Sequence, residues 1–175
     1  MTALFSLPSP LHPALVHFPI VLLLLGAIAA VAAAFISRWR TPLIAAVLLS
    51  LGAAGSVIAV QTGESDGELV NETPAIEAVL ELHEEWAERT QIAAIVAALL
   101  AVGVVFATRW PVIATGLRVV TAVGAMAATW CVIQTGHYGG QLVYKYGAGV
   151  RTITASAGLH SAEQPAVKSK KHRDE

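Results

Sequence analysis

Charged side chains are scarce in this chain. They make up 13% of its 175 residues, against 55% hydrophobic ones, where soluble domains carry about a quarter charged residues. That imbalance excludes a soluble enzyme and makes a lipid bilayer the natural solvent. Cysteine is nearly absent too. Cys131 stands alone, so no internal disulfide can form, and the paired-cysteine spacings of zinc and iron-sulfur sites are missing. Because it lies in an apolar run, it reads as a small apolar residue. No Lys or Arg precedes Arg38, whereas a secretory signal needs a basic start, so the first apolar segment is expected to be retained. The longest polar stretch between apolar runs is about thirty residues, too short for a separate domain.

What is present are four apolar runs: Leu15 to Ile36, Pro42 to Val60, Ile92 to Ala107 and Pro111 to Ile133. Each is near the roughly 17–25 residues that cross a bilayer core. Two connections are short, Ser37 to Thr41 and Thr108 to Trp110, so the chain reads as two tight helical hairpins with Trp39 and Trp110 at the interface. Both turns are basic, through Arg38, Arg40 and Arg109, while the loop Gly63 to Glu88 holds nine acidic residues and no basic one. The positive-inside rule then puts the turns in the cytoplasm of a bacterial inner membrane. Both termini and the acidic loop face outward, in a Gram-negative cell the periplasm. The basic tail, Lys168, Lys170, Lys171 and Arg173, runs against this bias, but it lies far from the last helix and is expected to be disordered. Within the acidic loop, Thr73 and Pro74 followed by Ile76, Val79, Leu80, His83 and Ala87 predict that the third helix starts well outside the membrane.

Two landmarks recur. Gln61-Thr62-Gly63 with Leu69-Val70 returns as Gln134-Thr135-Gly136 with Leu142-Val143, 73 residues on (134 minus 61), and Leu11-His12 returns as Leu82-His83, 71 residues on (83 minus 12). The expected fold is therefore all-α: a four-helix transmembrane bundle over residues 1–150, built from a duplicated two-helix hairpin. The repeat halves run from about 11–70 and 82–143, with a polar tail over 151–175.

The repeat gathers the chemically able residues at one side of the membrane: His12, His17, His83 and His137, with Gln61, Glu64 and Gln134. Counted from the basic turns at about 1.5 Å per residue, His12 and His83 come to similar heights, roughly 39 Å from Arg38 and Arg109. Ionisable residues at this depth are costly and often mark a site; the bland alternative is a set of interfacial histidines bonded to backbone or headgroups. His160 and His172 belong to the tail. Imidazoles here suit a b-type haem clamped by two of the four, a Zn, Cu or non-haem Fe site completed by Glu64, or a proton relay. His12 and His17 are five residues apart, about 140° around a helix, so they do not form a one-face metal pair. Glycines at 136, 139, 140, 147 and 149 around Tyr138, Tyr144 and Tyr146 suit a loop capping the site or a plain interfacial turn. Arg118 is expected to snorkel to the surface.

Leu11-His12-Pro13-Ala14-Leu15-Val16-His17-Phe18-Pro19-Ile20, together with Gly139-Gly140-Gln141-Leu142-Val143-Tyr144-Lys145-Tyr146-Gly147-Ala148-Gly149-Val150, resembles the bacterial membrane-protein family catalogued as domain of unknown function 2231. The likeness covers roughly His12 to Val150. It implies a redox setting, since similar domains occur joined to cytochrome c-like or Rieske domains. This sequence carries neither, nor a CxxCH motif, so the electron partner is expected to be a separate protein or a quinone. The leading expectation is a cytochrome b-like electron carrier, with haem held by a pair drawn from His17, His83, His137 and His12. The alternatives are a Zn, Cu or Fe protein using the same histidines and Glu64, and a structural or transport subunit. The other expected partner is the bilayer, with a homo-oligomer left open and no nucleic acid.

Overall fold

The computed structural model describes residues 11–36, 40–68, 70 and 73–148. Among them the chain forms a single helical turn, α1 (His12–Leu15), and four long helices: α2 (His17–Phe35), α3 (Arg40–Gly67), α4 (Pro74–Phe106) and α5 (Pro111–Tyr144). A 3-10 turn, Ala107–Arg109, joins the last two, and no strand occurs among the described residues. All four are long and apolar enough to cross a membrane. At about 1.5 Å per residue, α4 and α5 are roughly 50 Å long. They therefore stand well proud of a hydrocarbon core about 30 Å thick.

Proline marks the boundaries. Pro19 has no N–H for the Leu15 carbonyl, and its ring crowds that oxygen; the helix is interrupted just there, at Val16 between α1 and α2. Pro74 and Pro111 sit in the first turns of α4 and α5, where a missing N–H costs nothing. Thr73 caps α4, its hydroxyl accepting from the Ile76 N–H at 3.4 Å. The early start predicted for this helix is thus observed.

The helices pack in a ring, α2 on α3, α3 on α4, α4 on α5, and α5 back on α2. Their shared core is mostly alanine, including Ala30, Ala45, Ala94, Ala97, Ala101 and Ala125, with Leu23 and Leu49. In lipid there is little hydrophobic gain in bringing two apolar helices together, so association depends on close van der Waals fit, which small residues permit. The fit is reciprocal in the first hairpin. A Cβ at Gly26 would stand 2.8 Å from Leu49 Cδ2, and one at Gly52 would stand 2.8 Å from Leu23 Cδ2. Each leucine fills the notch left by the other helix's glycine. In the second hairpin Leu117 faces Gly103 at 3.2 Å and Leu100 faces Gly124 at 3.6 Å. Phe18, Ile28, Leu99 and Val112 point outward, a lipid-facing surface that water would not tolerate over so wide an area.

The structure corrects two expectations. The segment Gly63 to Gly67, expected to open the acidic loop, continues α3, and Gly136, Gly139 and Gly140, expected in a loop or turn, lie within α5. Glycine weakens a helix by about 1 kcal/mol relative to alanine, but unbroken backbone bonding and packing against neighbouring helices outweigh that. The helix ends at Tyr144, and past it Gly147 takes a φ of 68° and the following N–H of Ala148 bonds back to the Leu142 carbonyl. Arg38 and Trp39 of the first turn, Gly149 and the C-terminal tail lie outside the described residues.

Candidate functional site: a histidine pair at one end of the bundle

The C-terminal ends of α3 and α5 and the starts of α1 and α4 come together at one end of the bundle, opposite the short turns. His12 opens α1. Its backbone N–H donates to Asp66 Oδ2 at 2.7 Å, so a carboxylate from α3 serves as the cap that α1 lacks from its own sequence. Its ring Nδ1–H donates to the Ala59 carbonyl at 2.8 Å, and the ring lies against Gly63, where a Cβ would stand 3.1 Å from Nδ1. His83 repeats this arrangement on α4. Its Nδ1–H donates to the Thr135 carbonyl at 3.0 Å, and its ring lies against Gly139, where a Cβ would stand 3.0 Å from Cε1. In each case the glycine follows the accepting residue by four positions (63 minus 59, 139 minus 135), one turn along the same face.

The two rings meet. Their centroids are 6.2 Å apart and their planes lie at 89°. A carbonyl oxygen can only accept, so the proton of each neutral ring sits on Nδ1 and the lone pair is left on Nε2. That is the tautomer a metal-ligating histidine takes when a backbone carbonyl orients it. His83 precedes the apolar run that begins at Ile92 by roughly 14 Å of helix. Thr135 also joins the two helices. Its hydroxyl and that of Thr90 are 2.9 Å apart, and each can instead donate to its own helix, to Cys131 O and Trp86 O.

The other expected site residues are not drawn in. His17 is exposed and its Nδ1–H donates within its own turn to the Pro13 carbonyl at 2.9 Å. His137 is exposed, 2.9 Å from Gln141 Nε2 and edge-on to Tyr138. Glu64 is exposed on α3. The acid that reaches the site is Asp66, two positions further along the same acidic stretch. Among the described residues no three of His, Cys, Asp and Glu gather as a metal-holding group. Sequence reasoning missed Asp66, Ala59 and the seating role of Gly63 and Gly139. The register of the Gln-Thr-Gly repeat was only a partial guide: it aligns Gly63 with Gly136, yet Gly139, one turn further on, takes the ring, and Gly136 has nothing within 4 Å of where its Cβ would be.

The family model for predicted membrane proteins of domain of unknown function 2231 (DUF2231) matches residues 8–152. The chain belongs to that family. The matched DUF2231 segment contains the whole four-helix bundle and both members of the histidine pair. No curated protein and no solved structure matches this DUF2231 chain.

Proposed function

We propose that this DUF2231 protein is a membrane electron carrier in which His12 and His83 would hold a b-type haem through their Nε2 atoms. The observation that carries this reading is the pair itself: two imidazoles from different hairpins, each held through Nδ1–H by a backbone carbonyl, each with Nε2 available, 6.2 Å apart between centroids. That separation is of the size that two imidazoles sharing one metal would need, with metal–nitrogen bonds of about 2.0–2.1 Å. The donor set fits haem for a second reason. Two protein ligands hold a bare divalent ion poorly, because Zn sites take three or four, whereas porphyrin brings four nitrogens of its own and asks the protein for two. A Zn, Cu or Fe site completed by His17, His137 or Glu64 is less well supported, since those three side chains are turned to exposed surfaces.

A haem held there would supply one-electron exchange between ferric and ferrous iron. The protein's share is to fix the ring tautomer and orientation through Ala59 and Thr135, and to bring the rings close on Gly63 and Gly139. The like seating of His12 and His83, and the leucine-to-glycine notches in both hairpins, support a duplicated hairpin as the origin of the pair. The partner is a separate redox protein or a quinone, reached at the outer face of a bacterial inner membrane with both termini periplasmic.

Protein expressed with ample haem should show the sharp reduced bands of a low-spin b-type cytochrome. His12→Ala or His83→Ala should abolish or broaden them, while His17→Ala and His137→Ala leave them in place. Colourless protein that retains stoichiometric zinc, copper or iron would move the assignment to a bare metal. Colourless, metal-free protein would leave a structural or transport role.

A further inference from the structure

The opposite end of the bundle carries a charge with no counterpart among the described residues. Arg118 lies on α5 seven residues after its first residue, Pro111, about 10 Å along the helix axis. Helical side chains tilt toward the N-terminus, so this one leans back toward the turns. Its Nε is buried without a hydrogen-bond partner among the described residues, while the residue as a whole is half-buried. Beside it lies a small cavity lined from all four helices, by Ala33, Pro42, Val104 and Thr121 among others. The Thr121 hydroxyl is already committed to the Leu117 carbonyl at 2.7 Å.

A water in the cavity would satisfy the Nε–H but not the charge. Every carboxylate among the described residues, from Glu64 to Glu88, sits at the histidine end. The turn end instead gathers Arg40, Arg109 and Arg118 together with the N-termini of α3 and α5, whose partial positive charge also favours an anion. A half-buried guanidinium in a membrane needs a partner, and here the chain supplies none among its described residues. Planar guanidinium matches phosphate in charge and hydrogen-bond geometry.

We propose that the turn end is a phosphate-binding site in which Arg118 takes a phosphate group at the mouth of this cavity, either from an anionic lipid headgroup or from free phosphate. The site stands at the far end of the bundle from the histidine pair and does not depend on it.

The test uses the full chain in detergent as wild type, Arg118→Gln and Arg118→Lys. Native mass spectrometry measures retention of phosphatidylglycerol against phosphatidylcholine, and thermal unfolding is followed with inorganic phosphate against chloride at equal ionic strength. Wild type should prefer phosphatidylglycerol by about tenfold or more, Arg118→Gln should lose the preference, and Arg118→Lys should keep part of it, as a point charge lacking the planar fork would. A thermal response to inorganic phosphate that Arg118→Gln abolishes, without a lipid preference, assigns the site to free phosphate. Wild-type protein with neither a lipid preference nor a phosphate response overturns the site without recourse to any variant. So does an Arg118→Lys protein that, should Arg118→Gln not fold, behaves like wild type in both measurements.

Discussion

An imidazole and a glycine form the smallest unit of this structure that has a chemical consequence. Gly139 lets α5 approach α4 until the His83 ring rests on its backbone, and the same turn of α5 offers the Thr135 carbonyl to Nδ1. The ring cannot retreat without breaking that bond. Gly139→Ala would put a methyl 3.0 Å from Cε1 and 3.2 Å from Nδ1, so the ring must shift and the bond lengthen. Overpacking of this kind costs about 1–3 kcal/mol. Thermal unfolding in detergent should show that loss, with the imidazole resonance of His83 displaced by NMR. Gly136→Ala, which meets nothing within 4 Å, should leave both unchanged or slightly stabilise the helix. Equal effects of the two substitutions would refute the seat.

Among the elements, the long helices depend on notches rather than on bulk. The first hairpin places Leu23 against Gly52 and Leu49 against Gly26, with Leu23 2% and Leu49 0% exposed. Gly52→Ala should therefore destabilise the hairpin by about 1–3 kcal/mol. Combining it with Leu23→Ala should cost less than the two single changes added together, because the new methyl occupies space the leucine has vacated. Strict additivity in chemical or thermal unfolding would mean that the contact is not shared. The break between α1 and α2 belongs to this scale as well. Pro19 interrupts the helix, and the turn before it carries His12 across to α3, where Asp66 and Ala59 receive it.

For the whole molecule, acidic charge is confined to one end of the bundle among the described residues, while Arg89 and Lys145 also stand at that end. Described carboxylates stand at the histidine end, and Arg40, Arg109 and Arg118 at or near the turn end. A reporter fused at Asp66 should read as periplasmic and one at Trp39 as cytoplasmic; the reverse pattern would invert the orientation and place the histidine pair on the cytoplasmic face. In either orientation the pair and Arg118 lie toward opposite ends of the bundle, because α5 carries Arg118 near its start and Thr135 near its end.

Composition and spacing alone determined that the chain is helical, that four segments are apolar enough to span a bilayer, that α4 starts at Pro74, and that His12 and His83 stand at matching heights. These follow from local physics: hydropathy over about twenty residues, proline's missing N–H, and a fixed rise per residue. Which of four histidines pair was a tertiary matter. His12 and His17 share one stretch of chain, and only the packing of α1 on α3 and of α4 on α5 turned His12 inward to meet His83 while leaving His17 outside. Asp66 was chosen over Glu64, and Gly139 over Gly136, in the same way. Adjacent positions on a helix differ by about 100° in direction, so which one faces a neighbour depends on how the helices are rotated against each other, and that rotation is set by interhelical contacts such as the leucine-to-glycine notches.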